Sequence, residues 1–575
     1  MSLTSLLNEV KAALNPSDLV KEAVNISAYH RIQGTKYLVE ASNYIRDKVE
    51  DSGLNVEVFN FSYTQPHNWL TSLIGWEIED GEVRVVEPFK KVLSSFRREG
   101  TAVVAHSPPG EFEGTVTYVG DGTRVPDDVD VALTYNRSFE TYLNLVDKGA
   151  KAVLIFRRDA PKNAVPYVGL FPSPEDLSKL KAPALSISRG DAERLINALD
   201  NGVKVKVKGF VKSSFTEPYP LRVVTASVGE DNVNEVHLIA HYCHPRHTVN
   251  DNVSGASTLL ILSEVLGRAV KNLKPRLRNV MRFIWVPEHY GSLPLIKALA
   301  ERQVKVIGAI NLDMIGEKQS LTKSTLYFIR SPIALLSSFE AHTYAIFYEV
   351  LLRYSDTWFF SSSKEGIKFS IRSYEAGSDH DSYIVYGIPA VSLINWPDKF
   401  YHTSLDTIDK FSPKLALRVG YAALKASLTF NQRSEYVKAA FLNYRKLING
   451  LDVIKVLRVK DLRELRSKAY ESPLRSEDVE VSEVRIKATD KGIPSFRKIL
   501  RSVSDENLKH SLIKLSNKAW TSTAANLIIL YTQNPLSMSK LRNYLSAELG
   551  IVLDIDELKL ILEGLHAIKA VELGG

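Results

Sequence analysis

One cysteine and four methionines in 575 residues leave this chain little sulfur chemistry. A single thiol excludes an intrachain disulfide framework, and with it the stapled, loop-rich secreted class. No window approaches the roughly eighteen uninterrupted apolar residues of a membrane span. The opening Met1-Ser-Leu-Thr-Ser-Leu-Leu-Asn-Glu-Val-Lys lacks the charged start, apolar run and small-residue cleavage site of a signal peptide, and reads as an amphipathic helix. Excess charge is missing too, because +7 over this length is too dilute to argue for nucleic acid or a membrane surface. Repeats, low-complexity tracts and long linkers are also absent. What remains, 45% hydrophobic and 24% charged residues, is ordinary globular composition at a length that predicts three or four domains. A cytoplasmic protein with no membrane contact is the expectation.

Residues 1 to about 60 predict two helices and a strand. Leu38, Ala41, Tyr44, Ile45 and Val49 recur at helical spacing, and Asp51-Ser-Gly53 stops that helix before an apolar extended run. Residues 75–218 change character to short strands, among them 101–105, 114–119, 129–133 and 152–156, punctuated by Pro108-Pro-Gly110 and Gly120-Asp-Gly122. This is read as a separate β-rich insert. From 220 to 432 strand and helix alternate: strands at 236–240, 280–286, 306–312 and 390–394, helices at 253–266, 293–302 and 413–429. Such alternation implies an α/β fold with a mostly parallel sheet. Ligands of these sheets gather beyond the carboxyl ends of the strands. Residues 433–508 read as a basic helical connector containing Arg458-Val-Lys-Asp-Leu-Arg-Glu-Leu-Arg466. In 509–575, helices at 524–532, 538–549 and 555–566 and a strand at 570–573 resemble a winged helix.

The chemistry-bearing residues cluster behind apolar runs. His241 and His244 flank Cys243 at a strand end. Either imidazole can be the ligand there, since strand alternation does not decide between them so close to the exit. Asp251 sits in Asn250-Asp-Asn-Val-Ser-Gly255 just before an apolar helix. Helix capping explains one such residue, not three followed by Ser-Gly, and a carboxylate there can bridge two metal ions. Glu288 follows a run apolar enough to be buried, which raises a carboxyl's pKa and suits a general base; the plain alternative is an exposed loop glutamate. Asp313 ends an apolar strand, a costly place for a carboxylate without a partner or a metal. His402 follows the 390–394 strand, and its plain alternative is a loop histidine. His289, Asp379, His380 and Asp406 are alternative ligands or groups that orient a ligand imidazole. Cys243 reads as a small buried residue or a metal contact rather than a nucleophile. Imidazoles and carboxylates around an open position are what a hydrolytic zinc centre needs.

In this order the motifs resemble the co-catalytic zinc aminopeptidase family, which also contains glutamate carboxypeptidase-like enzymes. The match runs from about 20 to 430. Ala240-His-Tyr-Cys243 stands for the family's Ala-His-Tyr-Asp, Asp251 for its bridging Asp, Asn311-Leu-Asp313 and His402-Thr for two further ligands. Gly377-Ser-Asp-His380, Gly387-Ile-Pro-Ala and Tyr29-His-Arg-Ile-Gln-Gly34 also match. Two departures stand out. The family has two consecutive Glu after the third strand where this chain has Glu288-His289, so Glu288 takes either the base or the ligand position. Cys243-His-Pro resembles a divergent branch of the family that ends in a winged helix and favours His244 as ligand. The resemblance implies a zinc exopeptidase core in two parts (1–70 and 220–432), a protease-associated-type insert, and one or two Zn2+ ions.

The resulting expectation is a zinc-dependent aminopeptidase acting on peptides, with His241 or His244, Asp251, Asp313 and His402 as ligands and Glu288 as base. The rivals are an amidase or carboxypeptidase of the same fold, and a binding protein that has lost catalysis. The segment at 554–563 is acidic where a DNA-reading helix is basic, so self-association is expected of the terminal domain and nucleic acid is not.

Overall fold

The computed structural model describes residues 2–230, 234–352, 366–457 and 484–574. The basic stretch at 458–466 lies outside them. Eight strands build the central sheet: β1 Asn55–Phe61, β2 Leu221–Val228, β3 Asn234–His241, β4 Val280–Val286, β5 Lys305–Leu312, β6 Thr325–Ile329, β7 Phe369–Arg372 and β8 Ala390–Trp396. Their spatial order is β1-β2-β4-β3-β5-β8-β6-β7. The inner four, β4, β3, β5 and β8, are parallel; β2 runs antiparallel to β1 and β4, and β6 antiparallel to β8. From β3 the chain steps to β4 on one side and then crosses back to β5 on the other. Strand order thus reverses about β3, which opens a crevice at its carboxyl end.

The inner strands are mostly apolar because helices cover both faces, and the buried charges among them are paired, as Arg282 of β4 is with Glu235 of β3. Along β3, Val236, Leu238 and Ala240 join one core with helix Val253–Leu273, while Ile239 joins the opposite core, as the two-residue period of a strand requires. Helix Val253–Leu273 is long and apolar enough to cross a membrane, yet 83% of its most apolar window is buried in the protein.

Three segments differ from the sequence reading. The first 60 residues hold three helices, Leu3–Ala13, Pro16–Ser27 and Lys36–Glu50, not two. Asn15 caps a new helix by accepting from the Ser17 N–H, and Pro16 occupies its first turn. Residues 101–105 form no strand; Val103 and Ala105 make isolated bridges to Leu185 and Gly169. The insert carries a seven-stranded sheet that includes the long, unforeseen strands Gly75–Glu87 and Lys206–Thr216, with helices Phe139–Asp147 and Arg189–Asp200 beside it.

At the carboxy terminus, strand Arg485–Ala488 pairs with Leu536–Ser537 and Val571–Gly574. This unit therefore starts well before residue 509 and takes in helices Phe496–Ser502 and Glu506–Ser516. It is not a loose appendage. Ile486, Leu512, Ile528 and Leu562 share one buried cluster with Ile239 and Ile284 of the central sheet.

Candidate metal centre

Asp251 begins a tight weld between two strand exits. The Asn252 side chain accepts from Gly255 N–H at 3.1 Å, capping helix Val253–Leu273, and from Met314 N–H at 3.0 Å, while donating to Leu312 O at 2.9 Å. Ser254 Oγ donates to Asn250 O at 2.7 Å and accepts from Ile315 N–H at 3.0 Å. A Cβ on Gly255 would stand 2.1 Å from Leu312 O, so only glycine fits this approach. The polar run around Asp251 thus joins the loop after β3 to the loop after β5, and brings Asp251 to Asp313.

The amino-terminal phrase does the same for the imidazoles. Arg31 is fully buried and donates to the carbonyls of Tyr242 (2.7 Å), Ile26 (2.9 Å) and Tyr29 (2.8 Å). Its backbone exchanges two hydrogen bonds with His244, at 3.0 and 2.8 Å. Gln33 Nε2 donates to Glu288 O at 3.2 Å. His244 (φ 108°), Met314 (φ 56°) and His402 (φ 52°) all occupy positive-φ backbone, which side chains other than glycine rarely adopt and which collects at functional sites.

The side chains meet in two triads that share Asp251. In one, His241 Nε2 lies 3.4 Å from Asp251 Oδ1 and 3.3 Å from Asp313 Oδ1. In the other, Asp251 Oδ2 lies 2.9 Å from His402 Nε2 and 3.4 Å from His244 Nε2, with the two imidazole nitrogens 3.2 Å apart. Two ligand atoms each about 2.0–2.1 Å from a tetrahedral zinc stand about 3.3 Å apart. Asp313 Oδ1 is buried and accepts no hydrogen bond, an orphan that a cation would satisfy. The donor set and its spacing fit zinc. His241 and His244 do not compete for one place: each serves its own triad.

Glu288 belongs to neither triad, but one of its carboxylate oxygens lies within 4.8 Å of ligand atoms of His241, Cys243 and His244. Burial raises its pKa to about 7; His241 and His289 pull against this, and Asp313 and Asp379 add to it. Burial, opposed by Asp251 and reinforced by His241 and His402, lowers His244 to about 3 and keeps that ring neutral, as a metal ligand must be. Burial also disfavours charge on His241, yet Glu288, Cys243 and Asp313 outweigh it and hold the ring above the usual imidazole range.

The remaining candidates stand outside the triads. His289 (φ 57°) turns its ring away, with Nε2 3.6 Å from Asp381. Asp379 and Asp406 do not hydrogen-bond a ligand imidazole. Asp379 accepts from His289 N–H at 2.8 Å and Ser292 Oγ at 2.6 Å. Asp406 accepts from the N–H groups of Asn250 (2.8 Å) and Asp251 (3.1 Å), bracing the shared carboxylate from behind. His380 Nε2 is bonded to Glu375 O at 3.0 Å and packs beside Tyr374. The group beside His241 Nδ1 is Cys243 Sγ, at 3.5 Å, in the orienting place given to a carboxylate in many metal sites.

One contributor had no sequence signal. Tyr167, from the insert, sets its ring edge-on to His244 and His402, with centroids 5.4 and 5.1 Å away. Its N–H donates to His402 O at 2.8 Å, Ser404 N–H donates to Val165 O at 2.8 Å, and Arg157 Nη1 donates to Tyr401 O at 2.6 Å. The insert is therefore stitched to the segment that carries His402.

Residues 222–427 match the family model described as Peptidase family M28. No curated protein matches the chain. Among solved structures, the Peptidase M28 precursor from Shewanella amazonensis SB2B is similar at 16% identity, covering 75% of this chain and 96% of its own, with a TM-score of 0.54. An aminopeptidase from Aneurinibacillus sp. strain AM-1 is 20% identical over 74% of this chain and 97% of its own, TM-score 0.47. A zinc aminopeptidase from Bacillus subtilis is 18% identical over 73% and 99%, TM-score 0.48.

Proposed function

We propose that this chain, whose residues 222–427 match the model of peptidase family M28, is a zinc-dependent aminopeptidase of that family with Glu288 as its general base. The observation that carries the reading is the pair of donor triads on Asp251, with a glutamate of raised pKa beside them. His241, Asp251 and Asp313 would hold one ion, and His244, Asp251 and His402 a second. Zinc bound there supplies a water of lowered pKa and a polarised scissile carbonyl. The protein's own groups do the rest. Glu288 takes the proton from the attacking water and delivers it to the leaving amine. Cys243 fixes the ring of His241, and Asp406 fixes the backbone of Asp251. Tyr167 packs its ring edge-on against His244 and His402 on the insert's side of the centre.

Metal analysis and peptide hydrolysis by the wild type and Glu288→Gln test the reading. The wild type is expected to hold about two zinc ions per chain and to cleave an unblocked dipeptide but not its N-acetyl form. Glu288→Gln should keep its zinc and lose about 10²-fold or more in kcat. Equal cleavage of blocked and free peptides would point to an amidase instead. Unchanged hydrolysis by Glu288→Gln would remove Glu288 from the mechanism.

A further inference from the structure

The carboxy-terminal unit approaches the metal centre in two places. One is a cavity of about 580 Å3 bordered by His402, by Tyr167 and Phe171 of the insert, and by Asn517 of this unit. The other is the loop at 373–379, between β7 and helix His380–Val385. Helix Thr521–Tyr531 packs there with Ala524, Ala525, Leu527, Ile528 and Ile529 all buried. Thr523 and Asn526 are three positions apart, so they share one face of the helix. Both are buried polar groups in this apolar setting, where an unbonded one is costly. Both bond to the loop: Thr523 Oγ1 accepts from Ala376 N–H at 3.0 Å, and Asn526 Nδ2 donates to Tyr374 Oη at 3.0 Å.

That loop in turn holds the residue after Glu288, by its ring and by its backbone. Tyr374 Oη donates to Asp381 Oδ1 at 2.6 Å and Gly377 N–H donates to Asp381 Oδ2 at 2.8 Å. The carboxylate so fixed stands with Oδ2 3.6 Å from His289 Nε2. Asp379, at the end of the loop, accepts from His289 N–H at 2.8 Å and is braced by Ser292 Oγ at 2.6 Å. His289 lies in left-handed backbone, φ 57°, which a side chain other than glycine holds only where its surroundings over-determine it. These contacts supply that determination. The turn they fix is the one that presents Glu288 to His241 and His244. Asn526, Tyr374 and Asp381 are themselves buried and belong to neither triad.

We propose that Asn526 and Tyr374 are positioning residues for the general base: through Asp381 and Asp379, the carboxy-terminal unit sets the turn at His289 and with it the direction of the Glu288 carboxylate. The unit is then a working part of the hydrolase and not a separate module. The inference rests on the reading of Glu288 as base. A base has to stand within hydrogen-bond reach of the attacking water, so a small rotation of this turn costs rate without loosening the metal.

The test measures kcat and KM on an unblocked dipeptide, with zinc content and unfolding temperature, for the zinc-loaded wild type, Tyr374→Phe and Asn526→Ala. Each substitution is also combined with Glu288→Gln, and rates are taken well below every unfolding temperature. Tyr374→Phe keeps the ring and removes both hydrogen bonds of the hydroxyl. It should lower kcat by about tenfold or more, with KM within about twofold and zinc unchanged. Asn526→Ala should lower kcat several-fold in the same manner. In the Glu288→Gln background neither change should cost more than about twofold, because residues that act through one group are not additive. An unchanged kcat in both single variants, or a loss of equal size with and without Glu288, overturns the coupling while the base keeps its role. Full activity in Glu288→Gln, or a zinc-loaded wild type that cleaves no peptide, removes the base reading and this inference together.

Discussion

At the scale of single residues, the proton on Glu288 is the quantity with the most consequence. Its pKa is raised, so below that value the carboxyl keeps its proton and cannot accept another from water. Activity should therefore fall on acidification. Zinc's positive charge pulls the value back down, which places the midpoint of the acid limb between an ordinary glutamate's ~4.3 and about 7. A pH profile of kcat/KM checks this, and a limb that persists unchanged in Glu288→Gln would assign it to another group. Sequence spacing left Glu288 open between base and ligand, because the distinction depends on where the chain turns. The left-handed backbone at His289 sends its ring to Asp381 and leaves Glu288 facing the imidazoles. For the same reason strand alternation does not choose between His241 and His244. The backbone at His244 reverses the ring toward a second triad, and no local pattern announces that.

At the scale of elements, the loop from Tyr242 to Thr248 owes its shape to Arg31. Replacing Arg31 by Met keeps an apolar stem of similar length but strips hydrogen bonds from the carbonyls of Ile26, Tyr29 and Tyr242. A loss of about 3 kcal/mol or more is expected at roughly 1 kcal/mol or above per stranded acceptor. It should appear as a lower unfolding temperature and as less zinc retained after dialysis. An unchanged unfolding temperature would show that Arg31 is dispensable. Inner strands such as β4 and β5 were legible because burial on both faces leaves a nearly continuous apolar run, broken in β4 only by Arg282 and in β5, past its exposed first residue, only by Asn311. Outer strands were not: β7 reads Phe369-Ser-Ile-Arg and is only half covered, too short and mixed to stand out from loop. Residues 101–105 show the converse, an apolar run buried without joining a ladder.

At the scale of the molecule, three parts meet around one cavity. Arg497 of the carboxy-terminal unit donates to the carbonyls of Leu170 and Phe171 in the insert, and Arg501 pairs with Asp176. On the core side, Asn526 donates to Tyr374 Oη at 3.0 Å, and Tyr374 donates to Asp381 at 2.6 Å. Removing both arginines by Arg497→Ala and Arg501→Ala should raise KM several-fold with zinc content intact, and speed proteolytic nicking of the insert near 170–180, since both report a wall no longer held. Equal KM and equal nicking would make these contacts incidental. None of this docking was legible in the sequence, where an arginine contacting a carbonyl more than three hundred positions away looks like any other surface cation. The shared carboxylate of Asp251 carries one more consequence. Its ion-holding partners arrive from distant stretches of the chain, the last being His402, so neither pocket exists in a half-made molecule. Loading with zinc then acts as a final inspection of assembly, and copies that cannot take up the ion are the ones a cell's proteases would meet first.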